Sequence, residues 1–131
     1  MPNKYGLSNS ELEIMNIIWN SEQPIYFHTI MEHLKSNGKT WKKQTVHTYL
    51  TKLLEKGVLY CQSEGKINAY FVKKTASDLL RERAQTFIDN VFDGSLCQFL
   101  CAFTDIKNEY TKDDLEKMKS ILDKLDTTNN E

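Results

Sequence analysis

Residues 42–56, KKQTVHTYLTKLLEK, are the stretch that decides the fold. At about 100° per residue, four apolar side chains fall within about 80° of Val46: Tyr49, Leu50, Leu53 and Leu54. Polar side chains fill the opposite arc, with His47 at its edge: Gln44, Thr45, Thr48, Thr51, Lys52 and Glu55. The stretch therefore predicts an amphipathic helix that buries one face, and Gly57 supplies its C-terminal stop.

Two runs that follow this helix are rich in β-branched and aromatic residues, at 58–62 and 67–72. Between them lies Ser63-Glu64-Gly65-Lys66, which has the composition of a turn. The two runs therefore predict a β-hairpin directly after the helix.

Two further helices are predicted upstream, over roughly 9–20 and 26–36. Ser8 and Glu11 have the spacing of a capping box at the start of the first of them. Three helices followed by a hairpin are the pattern of a winged helix-turn-helix domain, with the third helix in the recognition position.

The remaining residues, 75–131, predict three helices and a polar tail from Asp126. Such short helices cannot easily bury their apolar stripes alone, so we expect an arm that forms a homodimer. The expected interface residues are Phe87, Val91, Leu96, Phe99, Leu100, Phe103, Leu115, Met118 and Leu122. The predicted fold class is mainly α, with a winged helix-turn-helix DNA-binding head (residues 1–74) and a three-helix dimerisation arm (residues 75–131).

Charge divides the chain at the same place. The 131 residues carry a formal net charge of −1. The head has ten lysines and six acids, a net charge of +4, whereas the arm has seven basic and twelve acidic residues, a net charge of −5. The basic head is therefore a candidate for binding a polyanion.

The polar face of the third helix holds the candidate DNA contacts. Lys42 and Lys43 stand at its start, where cations reach phosphate. Gln44, Thr45 and Thr48 stand where side chains reach base edges, since glutamine matches adenine and a threonine methyl group matches thymine. The head has no arginine to read guanine, so the predicted site leans towards A·T pairs. The remaining candidates are His47, Lys52 and, at the hairpin turn, Lys66.

Two other functions remain open from these residues. The same polar face is compatible with a winged-helix module that binds protein. Cys97 and Cys101 share one helix face and are candidates for thiol or metal sensing, although small buried side chains are the favoured interpretation, as for Cys61.

Several classes are not expected. The sequence has no catalytic constellation, phosphate loop or metal-ligand spacing, so neither an enzyme nor a cofactor is expected. No apolar run spans a membrane and no secretory signal is recognisable at the N-terminus, so the sequence predicts a cytoplasmic protein without a membrane partner. Three cysteines form no closed disulfide framework.

Several motifs resemble the penicillinase-repressor family, which also includes methicillin-resistance and copper-transport repressors. They are LSNSELEIMNIIW, TWKKQTVHTYLTKLLEKGVL, GKINAYF, FIDNVFDGS, LCQFLCAF and DDLEKMKSIL. The resemblance implies a homodimeric transcriptional repressor that binds inverted repeats with a TACA/TGTA-like core. It also implies DNA contacts for Lys43, Thr45, Thr48 and Lys66.

The sequence departs from the family pattern in three places. Lys42-Lys43-Gln44-Thr45 replaces a Ser-x-x-Thr sequence, so the N-cap of the helix is lost. Antibiotic-responsive members are cleaved at an Asn–Phe bond, which corresponds here to Ala102–Phe103 and implies a sensor-linked protease as a further partner. The cysteine-rich tail of the copper-responsive branch is absent, so copper sensing of that kind is not expected.

Overall fold

A computed structural model describes residues 3–104 and 110–129, which form a mainly helical chain with one small sheet. In chain order the elements are α1 (Asn9–Trp19), β1 (Ile25–Tyr26), α2 (Phe27–Ser36), α3 (Lys43–Glu55), β2 (Leu59–Glu64), β3 (Ile67–Val72), α4 (Ala76–Phe92), α5 (Leu96–Thr104) and α6 (Lys112–Asn129). The predicted fold class is confirmed, because three helices precede an antiparallel hairpin and three more helices follow it.

Helix α1 begins with the predicted capping box. The Glu11 backbone N–H donates to Ser8 Oγ at 3.1 Å, and the Ser8 N–H donates to Glu11 Oε1 at 2.9 Å. Glu11 is buried, yet Lys56 at the end of α3 also donates to its Oε1 at 2.9 Å. Burial acts to raise the pKa of Glu11, but the hydrogen bonds from Lys56 and Ser8 outweigh it and lower the pKa. One carboxylate thus joins the start of α1 to the end of α3.

The wing is the hairpin of β2 and β3, and its turn is tighter than predicted. Leu59–Glu64 pairs with Ile67–Val72, which leaves Gly65 and Lys66 as the whole turn. The prediction that the first strand ends at Gln62 is wrong by two residues, since pairing continues to the end of β2. Gly65 has a φ of 64°, which a two-residue hairpin turn requires at its first position.

A third strand, β1, was not predicted. Ile25 and Tyr26 pair with Tyr70 and Ala69 of β3, giving the strand order β1-β3-β2. A two-residue strand carries too little periodicity to be recognised in the sequence. This strand connects the wing directly to the start of α2.

The core of the head is built from apolar side chains of all three helices and of the sheet. Its members include Leu7, Ile14, Met15, Ile18, Ile30, Leu34, Val46, Leu50, Leu53, Val58, Leu59 and Tyr70. Trp19 and Trp41 pack partly buried against it. Cys61 also packs there as predicted, and burial raises the pKa of its thiol.

Helix α4 starts against the head. Thr75 and Asp78 form a capping box, with hydrogen bonds of 3.1 and 2.9 Å. Leu79 is 5% exposed and belongs to the core of the head. At the same junction, Trp19 Nε1 donates to the Lys74 carbonyl at 3.1 Å and the Lys74 ammonium lies 2.8 Å from Glu82.

The rest of the arm is more exposed to solvent than the start of α4. Helix α4 ends at Asp93, whose φ of 51° is left-handed, and α5 packs back on α4 through the rings of Phe92 and Phe99, 5.6 Å apart. Helix α6 starts at a reciprocal cap between Thr111 and Asp114 and continues to Asn129. The predicted polar tail is therefore wrong for residues 126–129, since a helix continues there beyond the last residue of its apolar stripe. Within the described ranges, no helix is long and apolar enough to cross a membrane.

Candidate nucleic-acid interface

Helix α3 presents the polar face that its sequence predicts. Its core side consists of Val46, Leu50 and Leu53, which are buried. Seven side chains away from this core side are exposed, and two of them are Thr51 and Glu55. The other five are called the recognition face: Lys43, Gln44, His47, Thr48 and Lys52. Thr45 lies beside them half-buried, and Lys42 is exposed just before the helix.

Hydrogen bonds within the helix fix part of the recognition face. Thr48 Oγ1 donates to the Gln44 carbonyl at 3.0 Å, and Thr51 Oγ1 donates to the His47 carbonyl at 2.9 Å. Because the hydroxyl hydrogen of Thr48 is already used, its methyl group and an oxygen lone pair remain for an outside ligand.

The start of α3 has no side-chain cap. Lys42 occupies the N-cap position with φ −72° and ψ 152°, and its side chain makes no capping hydrogen bond, as predicted. Trp41 packs against Tyr49 of the same helix, with ring centroids 5.4 Å apart, and so holds the segment that enters the helix. The backbone N–H groups of the first turn therefore have no side-chain acceptor at Lys42.

Ion pairing separates the ten lysines of the head into three that pair with a glutamate and seven that form no ion pair with a described residue. Lys39, Lys56 and Lys74 each lie within 3.0 Å of a glutamate oxygen. In contrast, four lysines on or near the recognition face and the wing form no ion pair with any residue that the structure describes: Lys42, Lys43, Lys52 and Lys66. No acid among the described residues neutralises their charge, which remains available to an anion.

The wing and the recognition face meet at one groove, called the wing groove. It is lined by Phe27, His28, His47, Lys66, Ile67, Asn68 and Tyr70. The fold thus brings the exposed Lys66 of the turn and His47 of α3 to the same groove.

Sequence reasoning missed two residues of this groove. Phe27 stacks on His47, with ring centroids 3.9 Å apart and planes 2° apart. His28 stacks on Tyr26 at 6.3 Å and 14°. Phe27 falls within the second predicted helix, and nothing in the sequence indicated that the start of this helix lies against α3. Only the packing of the two helices reveals these contacts.

The residues predicted for dimerisation all lie in the arm, and most remain open to solvent in the single chain. Phe87, Val91, Leu96, Leu115, Met118 and Leu122 are between 39% and 56% exposed. Phe99, Leu100 and Phe103 are half-buried. Their role in a dimer stays a prediction.

The Ala102–Phe103 bond lies in the last turn of α5. Ala102 is exposed, whereas the half-buried Phe103 ring lies 5.9 Å from the Phe99 ring and 6.0 Å from the Tyr110 ring. Cleavage at this bond also stays a prediction.

The prediction that Cys97 and Cys101 are buried is wrong for the single chain. Both are exposed, although α5 packs against α4. Among the residues the structure describes, no group of three or more His, Cys, Asp or Glu side chains is arranged to hold a metal.

The fold and this surface define the class of protein: it is a winged helix-turn-helix protein, with a basic recognition helix beside the wing. The family model described as Penicillinase repressor matches residues 7–124. The chain therefore belongs to the penicillinase repressor family.

Individual relatives agree with this assignment. The chain is 30% identical over 125 residues to the methicillin resistance regulatory protein MecI of Staphylococcus aureus, covering 95% of this chain and 99% of that protein. It is 26% identical over 117 residues to the penicillinase repressor of Bacillus licheniformis, covering 89% of each. The solution structure of the DNA binding domain of the repressor BlaI superposes with a TM-score of 0.50 at 32% identity, covering 60% of this chain and 93% of that domain.

Proposed function

We propose that the chain is a homodimeric transcriptional repressor that binds an A·T-leaning inverted repeat in duplex DNA. The observation that carries the proposal is the single surface shared by the recognition face and the wing, where four lysines have no acidic partner among the described residues. Membership of a repressor family, and a structural likeness to the DNA binding domain of BlaI, support the same function.

Seven residues of the surface have a proposed role. Lys42, Lys43, Lys52 and Lys66 neutralise phosphates. Gln44 and Thr48 read base edges in the major groove, and the half-buried Thr45 supports them from beside the recognition face. The proposed operator has a TACA/TGTA-like core in each half-site.

The test is fluorescence anisotropy on duplex DNA from upstream of the chain's own gene, at several salt concentrations. Lys43→Ala should weaken binding about tenfold and lower the salt slope by about one, because one phosphate contact is lost. Thr48→Ala should instead relax the preference for one base pair in each half-site. Lys119→Ala, on the exposed surface of α6, is the matched control and should change neither. Unchanged binding in both head variants would contradict the assignment of α3 and favour a protein-binding module.

Homodimerisation through the arm is the second part of the proposal. The apolar stripe of α6 is exposed along its length in the single chain, and a second copy of the arm offers a complementary apolar surface. Two heads on one dimer then match the two half-sites of an inverted repeat.

Release by proteolysis is the third part. A cut between Ala102 and Phe103 would separate α6, and with it Leu115, Met118 and Leu122, from the head. Incubation with a sensor-linked metalloprotease, followed by mass spectrometry, should yield a fragment that ends at Ala102. Loss of operator binding with the chain still intact would contradict this route.

Thiol-dependent release is a second candidate, favoured by the exposure of Cys97 four residues before Cys101. If it operates, hydrogen peroxide should weaken DNA binding of the native chain but not of the Cys97→Ser, Cys101→Ser double variant. Equal sensitivity of both proteins would eliminate it.

A further inference from the structure

The wing groove collects nitrogen donors from three separate elements. His28 comes from the first turn of α2, His47 from α3 and Lys66 from the turn of the wing. None of the seven residues that line the groove is acidic. None of these three side chains forms an ion pair with any residue in the described ranges.

Both imidazoles are held by aromatic neighbours. The His47 ring lies flat on Phe27 at 3.9 Å, and His28 stacks on the adjacent Tyr26. The groove is therefore lined by donors whose positions are largely set before any ligand arrives.

The other polar groups around the groove are already engaged or neutral. Tyr26 Oη donates to Glu64 Oε2 at 3.2 Å, so this wing carboxylate keeps its charge but is held by a phenol, and it forms no ion pair with Lys66 or with either histidine. Thr29 Oγ1 lies 3.4 Å from His28 Nε2, and Asn68 and Tyr70 of β3 add neutral polar atoms to the lining. Donors without a neutralising acid suit an anion that offers several oxygen acceptors.

We propose that the wing groove binds one backbone phosphate of the operator, with His28 and His47 acting as protonated ligands opposite Lys66. The inference rests on the proposed DNA-binding function and adds to it a ligand, His28, that belongs to α2 and not to the recognition helix. The ligand is a phosphodiester because the groove lies between the recognition face and the wing, both of which are proposed to contact the duplex.

The consequence is a pH-dependent affinity. Imidazole side chains change charge near pH 6.5, and a bound phosphate favours the charged form. Binding therefore takes up protons, and operator affinity rises as the pH falls from 8 to 6. The third histidine of the chain, His33, lines a different groove with Glu13 and Asn16, and it provides an internal control.

The test uses a duplex selected by the full-length native chain from a random-sequence library at pH 7. Its dissociation constant is measured between pH 6 and pH 8 at fixed ionic strength. The native chain and His33→Gln should bind about three- to tenfold more tightly at pH 6 than at pH 8. The His28→Gln, His47→Gln double variant should lose most of this dependence, and its salt slope at pH 6 should fall by one to two. Each single variant should lose part of it.

The outcomes separate the two proposals. A native chain that enriches no sequence overturns both the repressor function and the phosphate site. A native chain that binds its selected duplex without pH dependence, or a double variant that retains the dependence, overturns the phosphate site alone. Repeating the selection with the double variant should return the same base preferences. A preference lost at one base pair would show that the histidines read a base, which overturns the phosphate assignment.

Discussion

The head and the arm use apolar side chains in opposite ways. Among the described residues, fifteen of the sixteen buried hydrophobic side chains lie in the head, and ten of the twelve large exposed ones lie in the arm. The head closes around its own core, whereas the arm consists of helices that cover one another incompletely. This difference supports the proposal that the arm is half of an interface, because its apolar side chains, unlike those of the head, are not buried within the single chain.

The largest effect is expected in the core of the head. Leu50 is 1% exposed, so Leu50→Ala should lower the free energy of unfolding by about 2–5 kcal/mol, through lost burial and the cavity left behind. Urea unfolding of the head should show this loss at every protein concentration. Leu125→Ala, at an arm position 44% exposed in the single chain, is the comparison and should leave the transition of the head within about 0.5 kcal/mol. Equal losses would break the distinction between head and arm.

The next effect sharpens the assignment of the arm. Leu122 is 46% exposed, and Leu122→Asp places a charge in the proposed interface. The dissociation constant of the dimer should rise by at least about 30-fold, because burying an unpaired carboxylate is costly. Light scattering measures the mass, and the unfolding of the head should not change. Ser120→Asp, on the other side of α6, is the control, and a dimer that tolerates Leu122→Asp would show that this stripe is not the interface.

A smaller effect concerns the buried Glu11. Its pKa is lowered in the folded head, so the carboxylate stabilises the fold above about pH 4.3, and this contribution is lost as the pH falls through the lowered pKa. Glu11→Gln should cost about 1–3 kcal/mol at pH 7 and should flatten the pH dependence of the urea midpoint below pH 5. Glu13→Gln breaks only a surface pair with Lys39 and should cost less than about 1 kcal/mol. Equal costs would contradict a special role for Glu11.

The smallest effect compares two helix caps. Thr75→Ala should lower the stability of the head by about 1 kcal/mol, because α4 carries Leu79 in the core of the head. Thr111→Ala removes the equivalent cap of α6, so we expect a loss of helical circular dichroism without a change in the head transition. A shifted head transition in Thr111→Ala would mean that α6 stabilises the head.

The sequence predicted the regular elements well, because their signals are local. The stripe around Val46, the capping box at Ser8 and the stop at Gly57 each depend on a few neighbouring residues. Strand β1 was missed because a strand of two residues is too short to show the alternation of apolar and polar side chains by which strands are recognised. Cys97 and Cys101 were expected to be buried because they stand near an apolar stripe, but exposure depends on what packs against α5 from elsewhere.

The candidate site was predicted on α3 and at the wing turn, where residue type and helical position suffice. His28 and Phe27 were missed, since their position beside His47 results from the packing of α2 against α3. The angle at which two helices joined by a loop pack together cannot be predicted from the residue pattern of either helix. The boundary between head and arm after Lys74 stays a prediction, as do the individual DNA contacts.

Helix α4 belongs to both regions, because Leu79 is fixed in the head and Phe87 lies two turns later in the arm. Its 17 residues span about 25 Å without a linker. In a dimer, a rigid helix of this length would fix the distance between the two recognition helices. Inserting one base pair between the half-sites would move one of them by about 3.4 Å and rotate it by roughly 35° about the duplex axis. The preference for one distance between the half-sites would then result from the rigidity of α4, and not from any side chain that contacts a base.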